Sequence, residues 1–242
     1  MGSTLVFVTI GQAPRKDLSE AIEATLPPDV RVRHAGVLDG LERAEVQRRF
    51  GVPAGGSATL ISRLADGEAV TLDAGAVADG LQRLIARLEA GVGEEGVGPD
   101  GAGASGGADV IVVLCTGEFP GLRARRVRLI EPDALVTAYV STLLGGSAVG
   151  VVVPLPEQVA EAREKWRGLS PAPEFATASP YGDESRLVEA ARALVDGGAG
   201  AVVLDCMGYA DRHRLALRRA GVTVPVLTSG AMVGAWTGPL LR

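Results

Sequence analysis

Cysteine is rare in this chain: its 242 residues include only two, Cys115 and Cys206. Two cysteines in a chain of this length make no disulfide framework, so we expect a protein of a reducing, cytoplasmic compartment. Histidine is equally rare, and no set of cysteine, histidine and aspartate has the spacing of a metal site, so no metal is expected. No P-loop sequence occurs either, and we expect no cofactor.

The chain also lacks a large excess of charge of one sign, and it lacks long apolar runs. The net charge is −5, and the one dense basic cluster, Arg123–Arg128, has no interleaved aromatic residues of the kind that bind single-stranded nucleic acid. No run of 18 apolar residues is present, and the first residues pass into a strand-like segment without the features of a signal peptide. We therefore expect neither a nucleic-acid nor a membrane partner.

What the sequence does contain is short valine-rich runs that alternate with segments of helical spacing. This alternation predicts βαβ units, and hence an α/β protein with a parallel sheet. We also expect an antiparallel hairpin, Thr59–Leu64 with Ala69–Leu72, and a strand that ends at Glu131-Pro132, where a helix begins. The other predicted strands are Leu5–Ile10, Val30–Val37, Val110–Cys115, Ala148–Val153, Phe175–Ala178, Ala201–Cys206 and Val224–Leu227. The other predicted helices are Asp17–Leu26, Leu41–Phe50, Ala74–Ala90, Ala134–Leu144, Glu157–Arg167, Ser185–Val195, Arg212–Ala220 and Ala231–Leu241.

One stretch, Gly91–Gly107, is of low complexity and rich in glycine. Such a composition buries too little apolar area to order itself, so a mobile surface loop is expected. The apolar strand that restarts at Asp109 indicates that this loop does not divide two domains.

The two cysteines lie in similar surroundings. Residues 108–117 and 199–208 both form a buried strand followed by Cys, one residue and Gly. A duplicated α/β unit with one cysteine per copy accounts for this similarity; chance resemblance between valine-rich strands is the alternative. The carboxyl ends of parallel strands are where ligands bind in open sheets, and both cysteines are expected there.

Two facing thiols suit one class of reaction. Removing a proton from a carbon beside a carboxylate and returning it on the opposite face requires an acid and a base on opposite sides, with adjustable pKa values. Such chemistry requires no cofactor. The alternative is that the thiols only fill space, since free cysteine is among the most buried residue types.

Three motifs carry a resemblance to a known family. Thr9-Ile10-Gly11-Gln12-Ala13-Pro14-Arg15, Glu131-Pro132, and the segment from Leu204-Asp205-Cys206-Met207-Gly208-Tyr209 to Arg212-His213 resemble the AroM family. That resemblance implies the fold of the aspartate/glutamate racemase superfamily: two pseudo-symmetric parallel-sheet α/β/α lobes with a cleft between them. The lobes would be 1–132 plus 225–242, and 133–224. It also implies a homodimer or larger assembly.

The resemblance and the residues together predict the site. Cys115 and Cys206 would be the catalytic thiols, and His213 would poise Cys206. Asp205 and Met207 replace both neighbours of the second cysteine in the racemases, and a buried Asp205 would pair with Arg212. The residues expected to bind the substrate are Thr9, Gly11, Gln12, Arg15, Thr116, Gly117, Met207, Gly208, Tyr209, Arg212 and His213.

The leading hypothesis is a cofactor-independent racemase, epimerase or isomerase that acts on a small carboxylate-bearing molecule. Two alternatives stay open at this point: a one-cysteine decarboxylase, and a non-enzymatic binding or regulatory protein on the same scaffold.

Overall fold

The computed structural model describes residues 3–56, 59–91, 107–144 and 146–241. Its strands are β1 (Thr4–Thr9), β2 (Arg31–Gly36), β3 (Thr59–Arg63), β4 (Ala69–Asp73), β5 (Val110–Val113), β6 (Arg128–Ile130), β7 (Val149–Val153), β8 (Glu174–Thr177), β9 (Ala201–Leu204) and β10 (Val226–Thr228). Its α-helices are α1 (Lys16–Glu23), α2 (Arg43–Phe50), α3 (Ala74–Glu89), α4 (Pro132–Leu144), α5 (Val159–Lys165), α6 (Glu184–Asp196), α7 (Asp211–Arg219) and α8 (Ser229–Thr237). Short 3-10 turns precede α5 and follow α8.

The strands form two parallel sheets and one hairpin. The first sheet has the order β2-β1-β5-β6, and the second has the order β10-β9-β7-β8. The α/β prediction with parallel sheets is confirmed, and so is the antiparallel pairing of β3 with β4. None of the helices in the described residues is long and apolar enough to cross a membrane.

Both faces of each sheet are covered, as the unbroken apolar strands require. Side chains alternate along β1, so that Leu5 and Phe7 point into one core while Val6 and Val8 point into another. The first of these cores also takes Val151 from the second sheet, and Trp166 fills it from the chain just after α5. A single core shared by both sheets therefore fixes their carboxyl ends relative to each other.

The C-terminal segment differs from the expectation. Strand β10 pairs with β9, through Val226 and Val202, so it belongs to the second sheet and not to the first lobe. The helix that follows, α8, does pack on the first half of the chain, because its Gly234 lies against α1. Just after α1, Thr25 donates a hydrogen bond from Oγ1 to the Gly234 carbonyl oxygen at 2.9 Å. The wider division of the chain into two lobes stays a prediction.

The Gly91–Gly107 stretch falls almost wholly within residues 92–106, which lie outside the described part of the chain. That this stretch is a mobile surface loop therefore stays a prediction.

The β3–β4 hairpin lies across the first cysteine-bearing half. The Gln12 side chain fastens it at one end, because Gln12 Oε1 accepts a hydrogen bond from the Ala65 N–H at 2.6 Å. Gly11 passes so close beneath it that an added Cβ would lie 2.5 Å from the Arg63 carbonyl oxygen and would also overlap Ser62. The loop after β1 therefore requires glycine at this position, because the hairpin backbone takes the space of a side chain.

We expect Gly11→Ala to lower the free energy of unfolding by about 1–3 kcal/mol, the usual cost of overpacking. The matched control is Gly168→Ala, where an added Cβ would meet nothing within 4 Å. This control should change stability by less than about 1 kcal/mol. Urea unfolding measures both, and equal effects of the two substitutions would contradict the close approach described above.

Candidate active site

Each cysteine sits in a small turn just beyond the carboxyl end of a parallel strand. Cys115 follows β5, and its Sγ accepts a hydrogen bond from the Gly117 N–H at 3.3 Å. Cys206 follows β9, and its Sγ accepts one from the Gly208 N–H, also at 3.3 Å. The two turns share this hydrogen bond, at matching positions of the similar segments 108–117 and 199–208.

Both turns line one narrow cleft of about 60 Å³. The first half of the chain contributes Cys115, Thr116 and Gly117, and the second half contributes Cys206. Leu60 of the hairpin covers the cleft from one side, and an added Cβ on Gly117 would lie 2.9 Å from the Leu60 side chain. Ligand pockets usually measure about 300–1,000 Å³, so this cleft admits only a small group while the hairpin is in place.

A buried lysine joins the two turns. Lys165, at the end of α5, has an 8% exposed side chain. Its Nζ donates to the Thr116 carbonyl oxygen of the first turn at 3.0 Å and to Asp205 Oδ1 of the second turn at 2.9 Å. It also pairs with Asp133 at 3.0 Å. Two donors of the ammonium group are thereby used in hydrogen bonds, and its charge is paired with Asp133, so Lys165 positions the two turns.

Asp205 is paired differently from the expectation. Its partners are Lys165 and Trp166, whose Nε1 donates to Asp205 Oδ2 at 2.8 Å, and not Arg212. Thr116 adds a weaker link, donating from Oγ1 to the Asp205 carbonyl oxygen at 3.4 Å. Asp205, which lies immediately before the second cysteine, thus connects that turn to the first one.

Both thiols are neutral in this state. Burial raises the pKa of Cys115 to about 12, against the opposing effect of the Gly117 N–H. Burial likewise raises the pKa of Cys206 to about 11, against the Gly208 N–H and the positive charges of Arg15 and Lys165. The electrostatic influence of Cys206 also raises the pKa of Cys115, which indicates that the two thiols are near each other. The positive charge of Arg15 is among the main influences on the pKa of Cys206 but not on that of Cys115, so it favours the Cys206 thiolate.

Arg15 lies beside this site but is already paired. The buried guanidinium donates from Nε and Nη2 to the two carboxylate oxygens of Asp17, at 2.8 and 2.7 Å, and Nη2 also donates to Tyr181 Oη at 3.0 Å. Its pKa is raised, because the interactions with Asp17 and Tyr181 outweigh burial. Arg15 is thus a permanent positive charge near Cys206. In this structure two of its guanidinium nitrogens donate to the Asp17 carboxylate.

The remaining residues of the N-terminal motif serve the fold. Gln12 Nε2 donates to the carbonyl oxygens of Leu38 and Leu41, and its Oε1 accepts from Ala65. The Gln12 side chain is thus held by backbone groups in this structure, and its expected role in binding a carboxylate stays a prediction. Thr9 is buried and its hydroxyl accepts from the Gly11 N–H, while Gly11 makes room for the hairpin.

The residues after Cys206 are largely structural as well. Tyr209 is buried and its hydroxyl donates to the Ala178 carbonyl oxygen. Met207 packs in the core shared by the two sheets. Gly208 fits against Tyr181, and an added Cβ there would lie 2.8 Å from Tyr181 Oη. The Tyr209 and Met207 side chains both point into protein in this structure, and their expected substrate contacts stay predictions.

His213 does not poise the Cys206 thiol. Its Nδ1 accepts from the Ala210 N–H at 2.9 Å, which leaves the proton on Nε2, and Nε2 donates to the Pro180 carbonyl oxygen at 3.1 Å. Burial and the charge of Arg212 lower its pKa, so the ring is neutral. His213 caps the start of α7, and Arg212 lines a different cavity from the thiols.

Three features of the site gave no signal in the sequence. Lys165 belongs to an ordinary charged helix and lies far from both cysteines along the chain. Tyr181 comes from an irregular loop; burial and the nearby Cys206 raise its pKa to about 12. Glu118 and Glu161 line the mouth of the cleft, where burial and then Glu118 raise the pKa of Glu161. No cluster of three metal-binding side chains occurs in the described residues.

A family model described as "AroM protein" matches residues 5–241. The chain belongs to the AroM family. The fold is similar to that of allantoin racemase from Klebsiella pneumoniae, with a TM-score of 0.63, 18% identity, and coverage of 99% of this chain and 87% of that one. It is also similar to glutamate racemase from Aquifex pyrophilus, with a TM-score of 0.53, 12% identity, and coverage of 99% and 84%.

A third similar structure is arylmalonate decarboxylase, with a TM-score of 0.50, 14% identity, and coverage of 98% of this chain and 92% of that one. Comparison with curated proteins finds no match. At these identities the likeness establishes the fold alone: an α/β fold with parallel sheets.

We expect Lys165→Met to lower the free energy of unfolding by about 3–5 kcal/mol, because it leaves the buried carboxylate of Asp205 and the partly buried one of Asp133 without their cation. The control is Lys16→Met, which removes an exposed ion pair with Glu23 and should cost less than about 1 kcal/mol. Urea unfolding distinguishes the two. A Lys165 variant as stable as the Lys16 variant would contradict the role of Lys165 in joining the turns.

We expect each thiol to react slowly with iodoacetamide at pH 8 when it is the only one left, in Cys115→Ser or Cys206→Ser. The thiolate is the reactive form, and a thiol with a raised pKa holds little of it until the pH approaches that pKa. The rate should therefore rise steadily with pH above 9, and Cys206 should ionise at a lower pH than Cys115. An inflection below pH 8.5 for either thiol would contradict the burial described here.

Proposed function

We propose that this protein is a cofactor-independent racemase, epimerase or isomerase in which Cys115 and Cys206 transfer a proton on a small carboxylate-bearing molecule. The observation that supports the proposal most strongly is the pair of matched cysteine turns on one cleft, each held by its own glycine N–H. A structural role for cysteine would not require the same turn twice, at the carboxyl ends of strands in two different sheets.

The reaction begins with one thiol ionised and the other protonated. The thiolate accepts the proton from the carbon beside the carboxylate, and the electron pair of that C–H bond is delocalised into the carboxylate. The second thiol then donates its proton to the opposite face of the carbon, and its S–H electrons remain on sulfur. The two thiols have exchanged protonation states, so the reverse reaction is equally possible and no other reactant is consumed.

We assign the role of first base to Cys206, because the positive charges of Arg15 and Lys165 favour its thiolate. A raised pKa reduces the fraction of thiolate at neutral pH but makes that thiolate a stronger base. The rate should therefore increase with pH up to the region of the Cys206 pKa, while Cys115, with the higher pKa, stays protonated and serves as the acid.

The charges around the cleft orient the substrate in this proposal. Glu118 and Glu161 line its mouth, and their negative charges repel a carboxylate. Arg15 lies on the side of Cys206. The substrate carboxylate is therefore placed inward, towards Thr116, Gly117 and the Arg15 side, and the rest of the molecule extends past the two glutamates.

Two other functions each have one observation in their favour. Cys115 is 9% exposed and more buried than Cys206, which favours a decarboxylase with Cys206 as its single working thiol. The raised pKa of both thiols favours a binding protein without catalytic activity.

We also propose that the protein is a cytoplasmic homodimer or larger assembly. The exposed Trp236 and Leu240 near the C-terminus support an interface between copies.

Proton exchange tests the proposal directly. In deuterated water, single enantiomers of small carboxylates with a C–H beside the carboxylate should take up deuterium and racemise. Cys115→Ser and Cys206→Ser should each slow this by about 100-fold or more, the usual contribution of an acid or base. Gly168→Ala, at a residue that does not line the cleft, is the control and should retain activity.

The outcomes separate the three functions. Full activity in both serine variants would rule out the two-thiol mechanism. Loss in the Cys206 variant alone, with release of carbon dioxide from a malonate-type substrate, would indicate the decarboxylase. Absence of deuterium uptake across the panel, with tight binding of one member, would indicate a binding protein.

A further inference from the structure

A second cavity lies apart from the thiols. It measures about 230 Å³ and opens between the β3–β4 hairpin and the start of helices α6 and α7. Residues that line it include Arg63, Ser179, Tyr181, Glu184, Arg212 and His213. Neither cysteine lines it, and none of the steps proposed above uses it.

Two guanidinium groups face this cavity without a carboxylate partner. Within the described residues, neither Arg63 nor Arg212 forms an ion pair within 4.0 Å. Arg63 lies over the ring of Tyr181, with its Cζ 4.2 Å from the ring centroid. Its Nε is buried and has no hydrogen-bond partner among the described residues. A buried donor of this kind is costly to leave unmatched, and an anionic acceptor would satisfy it.

The surrounding backbone also favours negative charge. Glu184 begins α6, and Arg212 and His213 lie in the first turn of α7, so two helix N-termini open onto the same cavity. Helix N-termini carry partial positive charge and favour anions. Three negative charges stand against this: Glu184 on the cavity wall, Asp183, which caps α6 by accepting from the Ser185 N–H, and Asp17, which interacts with Arg63 but is paired with Arg15. On the cavity wall itself the two arginines outnumber the one glutamate. His213 contributes no charge, because both ring nitrogens are hydrogen-bonded and the ring is neutral.

We propose that this cavity binds an oxyanion, a phosphate or carboxylate group, between Arg63 and Arg212. Guanidinium groups recognise both kinds of oxyanion through paired N–H donors. The site is separate from the thiols, and Tyr181 lies between them: its ring supports Arg63, and its hydroxyl faces Arg15 and the Gly208 turn. The inference does not depend on the proton-transfer reaction.

Calorimetry of anion binding tests the site without any turnover. The protein is the Cys115→Ser, Cys206→Ser double variant, so that thiol chemistry contributes nothing. The probes are inorganic phosphate and malonate, titrated at constant ionic strength set by sodium chloride so that general screening is held fixed. At least one probe should bind at one site per chain. Arg63→Gln and Arg212→Gln should each weaken that binding by about tenfold or more, the loss of one charged hydrogen bond.

The matched control is Arg214→Gln, on the same helix as Arg212. Arg214 pairs with Asp211 at 2.7 Å and does not line the cavity. This variant has the same change of charge and should alter the affinity less than about twofold. Arg212 is exposed on α7, so its variant keeps the test valid even where Arg63→Gln impairs folding. The proposal would be overturned if neither phosphate nor malonate bound saturably. It would also be overturned if Arg214→Gln weakened binding as much as Arg63→Gln and Arg212→Gln do.

Competition identifies the source of the anionic group. If phosphate competes with a substrate found by deuterium exchange, the cavity holds the far end of that substrate. If phosphate binds without competing, the cavity holds a separate anion. Both results support the site, and its failure would leave the thiol mechanism untouched.

Discussion

The ammonium group of Lys165 holds together the parts of the molecule on which the site depends. It reaches the first cysteine turn through the Thr116 carbonyl oxygen and the second through the Asp205 carboxylate, while Asp133 at the start of α4 completes its shell. Buried ions are costly to desolvate, and ion pairs and hydrogen bonds offset that cost. Here the two carboxylates and the Thr116 carbonyl oxygen do so, and two sheets that share no hydrogen-bonded strand pair present their cysteine turns to one cleft.

In this arrangement, several side chains near the cysteines that were expected to bind substrate are instead hydrogen-bonded within the protein. Gln12, Tyr209 and His213 each make the hydrogen bonds that their side chains can offer, but to backbone groups that shape loops. These residues of the N-terminal motif and of the segment after Cys206 therefore hold loops of the fold in place. The groups that line the cleft include the pair of thiols, Thr116 and Gly117, and the two glutamates at its mouth.

Sequence reasoning predicted most strands and helices, because valine-rich strands and amphipathic helices have distinct periods. It also paired the cysteines, because the strand-Cys-x-Gly pattern occurs twice. It misplaced β10, since a three-residue strand contains no information about which sheet it joins. It missed Lys165, Tyr181 and the cavity between Arg63 and Arg212, because those contacts join residues far apart in the chain and only tertiary packing brings them together.

The most direct test of the two-thiol account is a crystal structure with a small carboxylate bound in the cleft. The account predicts that the carbon beside the carboxylate lies between the two Sγ atoms, about 3–4 Å from each and with the sulfurs on opposite faces, the geometry that proton transfer in both directions requires. A ligand bound with both sulfurs on one face, or with either sulfur out of reach of that carbon, would contradict it.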